Sequence, residues 1–421
     1  MPRIYLDNAA TSFPKPPGVF EAMLDYGTRV GASPGRGHYA ESREGARLIR
    51  QCRARINQLI NGENPDHVIF ALNTSDALNL AIKGIARHRR ITRRHEPLHM
   101  IASAMDHNSV LRPLNALAAE GGSWTCIDAD ETTGKLDPAD IARAITPDTA
   151  LVIVNMASNV GGTIQPVAEI GAICRHARVP MLVDAAQALG HIPVDVQSLC
   201  ADLFAFPGHK GLLGPQGTGG LYIRPGMEKL LATTREGGTG SQSEHDTQPD
   251  TLPEKYEAGS HNTVGIVGLS RAVEWILEQS IDHLRAHELH LIRIMLDELH
   301  KHGARLHGRE ALEGPLSSLR LLGPTSPDDR VGVFSLVHDT VPPAEMAAML
   351  EQCGILVRSG ITCAPRAHQT FGTLTQGAQG GFRLSIGPFT TEADCRAAIE
   401  ALTEVCNATR VHQSASSGRP Q

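Results

Sequence analysis

The residues of this chain whose chemistry most needs explaining are Asp184, which ends the apolar run PMLVD, and Lys210, in Pro207-Gly208-His209-Lys210-Gly211 directly after the run DLFAF. A carboxylate at the end of a wholly apolar strand is costly to bury without a cationic partner. A protonated ring nitrogen would serve as that partner, and a lysine amine nearby can form a Schiff base with an aldehyde. Together these are the requirements of pyridoxal 5'-phosphate (PLP), whose ring acts as an electron sink only while its nitrogen stays protonated. Three further run ends carry suitable groups. Asn73-Thr74-Ser75 opens a helix after HVIFALN, where free N–H groups and small hydroxyls suit a phosphate, although plain N-capping explains the same residues. His107 follows HMIASA, and Asn159 follows ALVIVNMAS. Each loop alone is ordinary, and the case for a cofactor lies in their ordered recurrence at successive strand ends, where parallel sheets bind ligands. Neither G-x-G-x-x-G nor G-x-x-x-x-G-K-[ST] occurs, which disfavours the nucleotide-binding folds.

To hold these residues together the chain needs a sheet. Between about 67 and 224, short β-branched runs alternate with helical patterns, the signature of parallel strands joined by helices. Seven strands are predicted: HVIFALN, HMIASA, SWTCIDA, ALVIVNMAS, PMLVDAA, DLFAF and GGLYI. Asp137-Pro138 marks an intervening helix start. From 264 to about 302 the pattern reads as continuously helical. Beyond it VGVFSLV and FRLSI, with helices near 343–353 and 391–406, predict a second, smaller α/β unit. A chain of 421 residues is expected to divide, here into residues 17–265, the large domain, and 266–406 together with 1–16, the small one. Residues 407–421, polar at their end, are expected to be a disordered tail.

The composition, 41% hydrophobic and 20% charged, is that of an ordinary globular protein. A net charge of -6 without a long basic run argues against a nucleic-acid partner. No apolar run reaches the length of a membrane span, so no membrane association and a cytoplasmic location are expected. The eight cysteines include no CxxC pair and should be mostly reduced core residues. His283, His287 and His290 share one helical face, but the polar side of an amphipathic helix accounts for them and no metal site is expected.

The motifs resemble those of the cysteine desulfurases of aminotransferase class V, from Tyr5-Leu6-Asp7-Asn8-Ala9-Ala10-Thr11 to Phe382-Arg383-Leu384-Ser385 and beyond. The resemblance implies the fold-type-I architecture of PLP enzymes, with a mainly parallel seven-stranded sheet. It assigns Lys210 to the Schiff base, Asp184 to the ring nitrogen and His107 to the ring face. Asn159 and Gln187 would lie near the ring hydroxyl, and Thr74, Ser75 and His209 near the phosphate. It also implies a homodimer in which Ser260 reaches the neighbouring subunit's phosphate. Arg383 would grip the substrate carboxylate as a bidentate fork, with Arg358 and Asn8 also on the substrate side. Arg358-Ser359-Gly360-Ile361-Thr362-Cys363-Ala364-Pro365 resembles the short loop whose cysteine attacks the substrate sulfur, although such loops commonly carry histidine where this chain has Thr362. The implied reaction takes L-cysteine to L-alanine with a persulfide on Cys363, which a sulfur-acceptor protein collects. The alternative is a selenocysteine or other C-S lyase on the same scaffold, which needs no cysteine persulfide.

Overall fold

The structure, a computed structural model, describes residues 3–35, 37–242, 244–375 and 378–417. The N-terminal part runs β1 (Ile4–Tyr5), α1 (Val19–Asp25), α2 (Ala40–Leu59), β2 (Val68–Ala71), α3 (Thr74–Thr92), β3 (His99–Ser103), α4 (Asn108–Ala119), β4 (Ser123–Ile127), α5 (Pro138–Ala144), β5 (Thr149–Asn155), α6 (Val167–Ala177), β6 (Met181–Asp184), β7 (Leu203–Pro207) and β8 (Gly219–Ile223). It continues through α7 (Thr263–Gln279), α8 (Ile281–Lys301), β9 (Leu319–Leu321), β10 (Val333–His338), α9 (Pro343–Gln352), β11 (Ile355–Leu356), β12 (Arg358–Gly360), α10 (Pro365–Thr370), the short hairpin β13 (Leu374–Thr375) and β14 (Ala378–Gln379), β15 (Gly381–Ser385) and α11 (Glu392–Ser417).

All seven expected strands form one sheet in the order β2-β8-β7-β6-β5-β3-β4. Every pairing is parallel except those of β8, which runs antiparallel to both β2 and β7. The central strands β5, β6 and β7 are buried along their whole length, as a parallel sheet covered on both faces requires. One face packs on α2 and α7, the other on α3 and α4. Register does the rest: Asn155 pairs with Asp184, and Asp184 with Ala205, so the carboxyl ends of β5 and β6 stand level and β7 runs two residues beyond them. The segments that follow β3, β5, β6 and β7 therefore emerge along one edge, from four neighbouring strands.

A second core gathers α8, α9, α11 and the sheet β12-β15-β10-β9, and Leu6 beside β1 is buried in it. The expected single helix over 264–302 is broken. Ser280 takes φ 64° and ψ 139°, and its hydroxyl accepts the His283 N–H at 3.2 Å, so α7 ends and α8 begins with a serine cap inside an otherwise helical pattern. The tail also departs from expectation, because α11 continues to Ser417. Past residue 406, Thr409 is still buried and Arg410 donates to the Gly314 carbonyl at 2.9 Å, which ties the added turn down. Residues 418–421 of the expected tail lie outside the described residues. The histidine face of α8 is spent on local contacts: His287 Nε2 lies 3.0 Å from the Thr390 carbonyl and His290 3.4 Å from a Glu392 oxygen.

Candidate active site

A cavity of about 340 Å³ opens at that sheet edge, lined by Thr74, Ser75, His107, Asn159, Asp184, Gln187, His209 and Lys210. Eight of the residues singled out in the sequence thus meet in one space. Lys210 sits in a tight turn after β7. Gly211 in this turn approaches the Leu189 carbonyl so closely that a Cβ would stand 2.2 Å from it, so only glycine fits. The turn is fastened to the N-terminal segment, since the Ser12 N–H donates to the His209 carbonyl at 3.0 Å and Lys15 Nζ to the same oxygen at 3.2 Å. Gln187 Nε2 donates to the Ala9 carbonyl at 2.9 Å, holding the same segment from the end of β6.

Among the described residues, the Lys210 amine has no hydrogen bond or ion-pair partner. Burial lowers its pKa from 10.5 to about 8, against the attraction of Asp184 and with help from the positive charges of Arg383 and Arg358. Asp184 is 4% exposed, and its Oδ1 accepts the Ala186 N–H at 3.0 Å. Burial raises its pKa, while that bond and Lys210 lower it. His107 caps α4, its Nδ1 accepting the Ser109 N–H at 3.0 Å, so in the neutral ring Nε2 carries the proton. Burial, with Lys210 and two arginines, lowers its pKa to about 4, which keeps the imidazole neutral and able to lie flat against an electron-poor ring. His209 falls to about 4 for the same first reason. The nineteen-residue α3 directs its N-terminus into the cavity beside the Ser75 and Ser109 hydroxyls, which lie 2.6 Å apart, an arrangement suited to an anion.

Cys363 lies outside this cavity but lines the adjoining cleft with His107, Ser75 and Ser109. It is the exposed cysteine among eight that are all unpaired. Its loop is unusual: Thr362 (φ 47°) and Cys363 (φ 59°) both take the left-handed conformation that non-glycine residues avoid. Two hydrogen bonds hold it there. Asn159 Nδ2 donates to the Thr362 carbonyl at 2.7 Å, and the Asn108 N–H donates to the Cys363 carbonyl at 2.8 Å. Gly360, just before, has φ 97°, as expected of a glycine turn.

Arg383 and Arg358 face each other across β15 and β12. Like charges opposed in this way repel, and Asp7 stands between them, accepting from each at 3.3 Å. The Arg383 guanidinium is buried, donates to the Asn159 carbonyl at 3.0 Å and keeps an unpartnered Nε. Asn8, expected on the substrate side, is spent on the backbone. It donates to the Ser385 carbonyl at 3.1 Å and accepts the Phe13 N–H at 3.2 Å. Within the chain, Ser260 lies in a separate cleft with Arg235 and His261 rather than beside Lys210.

The sequence reading missed three residues. Asp7 was quoted in its motif without a role, and its bridging of two arginines depends on strand pairing. Asp106 is fully buried, with its pKa raised by burial to about 7 and Oδ1 unpartnered. His368 on α10 places Nε2 3.5 Å from the Thr362 hydroxyl and Nδ1 2.7 Å from that of Thr373. A histidine thus does back the cysteine loop, six positions later than the resemblance led one to look. Among the described residues no group of three or more His, Cys, Asp or Glu side chains is arranged to hold a metal.

Fold and site together define an α/β enzyme of the fold-type-I architecture, built around a half-buried lysine and a buried aspartate at the carboxyl edge of a mainly parallel sheet. The chain belongs to the class-V aminotransferase family, whose model matches residues 4–397. It is 32% identical to a probable cysteine desulfurase of Methanothermobacter thermautotrophicus, with 96% of this chain and 94% of that protein aligned. A probable cysteine desulfurase of Streptomyces coelicolor is 31% identical over 96% of this chain and 92% of its own. Among solved structures, the apo cysteine desulfurase of Thermococcus onnurineus superposes with a TM-score of 0.84 at 28% identity, covering 96% of this chain and 95% of the other.

Proposed function

We propose that this protein is a PLP-dependent cysteine desulfurase that converts L-cysteine to L-alanine and leaves the sulfur as a persulfide on Cys363. The observation that carries the reading is the hydrogen bond from Asn159, a residue of the lysine cavity, to the loop of the exposed Cys363, which ties a nucleophile to a cofactor site. The residues present fit PLP. An unpaired amine suits its aldehyde, Asp184 suits its ring nitrogen, and the N-terminus of α3 with Thr74 and Ser75 suits its phosphate. When bound, PLP supplies a covalent anchor for amines and a ring that draws electrons from the substrate α-carbon. Asp184 holds the proton on the ring nitrogen. Arg383 and Arg358 orient the substrate carboxylate, in competition with Asp7. The Lys210 amine, with its pKa lowered to about 8, removes the α-proton and returns one to the product carbon. Cys363 Sγ attacks the substrate sulfur; the C–S bond breaks, and the S–S bond of the persulfide forms.

A sulfur-acceptor protein, a homodimer that brings Ser260 to the partner's phosphate site, and a reducing cytoplasmic setting are parts of the same proposal. The absence of disulfides among the eight cysteines supports the last. Among the described residues no helix is long and apolar enough to cross a membrane. The test is to incubate purified holoenzyme with L-cysteine, quantify alanine, and map sulfur adducts by mass spectrometry. One added sulfur on the Cys363 peptide, lost together with activity in Cys363→Ala, is the expected result. Undiminished alanine formation from cysteine in that variant refutes the persulfide mechanism and leaves the lyase.

A further inference from the structure

Helix α3 and the two residues after it carry Lys83, Arg87, Arg89, Arg90, Arg93 and Arg94 within twelve positions, in a chain whose net charge is -6. The overall charge conceals this cluster. Four of the six are paired: Arg87 with Glu236, Arg90 with Glu120, and Arg89 and Arg93 with Glu96. Lys83 and Arg94 are exposed and have no hydrogen bond or ion pair among the described residues, and the same holds for Arg112 on α4. These three cations border two clefts between α3 and α4 that share Lys83 and Ala116 and so run on from one another as a groove. It begins at Cys363, with Arg112 beside it, and passes Lys83 and Ala116. It goes on to Arg94 and to Ile91, which is 58% exposed.

We infer that this α3–α4 groove docks an acidic protein segment that carries a thiol and takes sulfur from Cys363, an inference that rests on the desulfurase reading. A small thiol would need only the mouth of the cleft, whereas the groove runs on along both helices. Unpaired cations, Lys83 and Arg112 on helices and Arg94 in the turn after α3, steer an acidic partner and set its register, and Ile91 and Ala116 supply apolar contact. A nucleic acid fits less well, because Glu120 lines the groove among its arginines and the lining contains no Phe, Tyr or Trp ring on which bases stack. In the transfer, the acceptor thiolate attacks the outer sulfur of the Cys363 persulfide. The S–S bond breaks, its electron pair leaves with Cys363 Sγ as thiolate, and the acceptor holds the new persulfide, so no oxidant or reductant is needed.

The experiment uses holoenzyme charged with L-cysteine and three synthetic acceptors: oligoglutamate, oligoserine and oligolysine peptides, each ending in cysteine. Sulfur on each peptide is followed by mass spectrometry, and binding of the fluorescently tagged peptides by anisotropy. The oligoglutamate peptide should be sulfurated about tenfold or more faster than the oligoserine one. High salt and the Lys83→Glu/Arg94→Glu variant should abolish that preference, while release of sulfide to dithiothreitol stays unchanged. Equal rates for the three peptides, or a preference that survives in the variant, overturn the proposal, as does tighter groove-dependent binding of a single-stranded oligonucleotide. If no persulfide forms on Cys363, the desulfurase reading fails, and the anisotropy arm still decides whether the groove selects acidic chains.

Discussion

The lowered pKa of Lys210 has a consequence for stability that can be measured without any catalysis. Folding takes the amine from an ordinary pKa of 10.5 to about 8, with burial as the largest cause. At about 1.4 kcal/mol per pH unit, keeping this amine protonated in the folded protein costs up to about 3 kcal/mol. Below pH 8 both folded and unfolded chains hold the proton, and the whole cost is present. Between about 8 and 10.5 the unfolded chain binds more protons than the folded one, so stability rises with pH and the cost is relieved. Lys210→Met removes the titrating amine but keeps most of the side-chain volume. It also removes the attraction to Asp184, which acts only on the protonated amine and is already contained in the lowered pKa, whereas packing differences do not vary with pH, so the informative quantity is the slope. Urea unfolding of cofactor-free wild type and variant at about pH 7.5 and about pH 10 should show wild type gaining about 2 kcal/mol on the variant as the pH rises. A difference that stays flat across the interval refutes the claim that burial of this lysine primes it for chemistry.

Asp184→Asn should retain bound PLP, seen in its absorbance, while turnover falls about 10- to 100-fold, the worth of a charge-assisted hydrogen bond; near-normal turnover rules out the ring-nitrogen role. Thr362→Gly exchanges a strained left-handed threonine for a residue that is at ease there but freer when unfolded, so stability should change by less than about 1 kcal/mol. Sulfur transfer to Cys363 should nonetheless fall, because a second glycine so close to Gly360 leaves the loop loosely held; unchanged persulfide yield contradicts this. Glu257 is buried and accepts from Arg53, from the Phe70 N–H at 2.7 Å and from His261. Glu257→Ala strands that arginine and should cost about 3–5 kcal/mol by denaturant unfolding.

Much of this protein could be read from its residues because the signals are local. Short apolar runs separated by helical patterns marked out the seven strands, and a buried acid and a lysine, each at or just after the end of such a run, marked the edge where the candidate site lies. What sequence could not supply was anything that depends on which strand lies beside which. Arg358 and Arg383 are far apart in the chain, and only the β12–β15 register makes them neighbours that share Asp7. Asn8 looked like a substrate ligand because of its motif, yet its amide closes a backbone turn against β15. The α7–α8 break turns on one serine whose capping role competes with a continuous helical pattern. The Cys363 loop shows the division most plainly. Its glycine, cysteine and proline announced a turn, but two consecutive left-handed residues persist only because Asn159 and Asn108, distant in the chain, bond their carbonyls. Local chemistry chose the residues; long-range hydrogen bonds and strand order decided what each of them touches, since backbone strain of that kind is stable only where surrounding structure over-determines it.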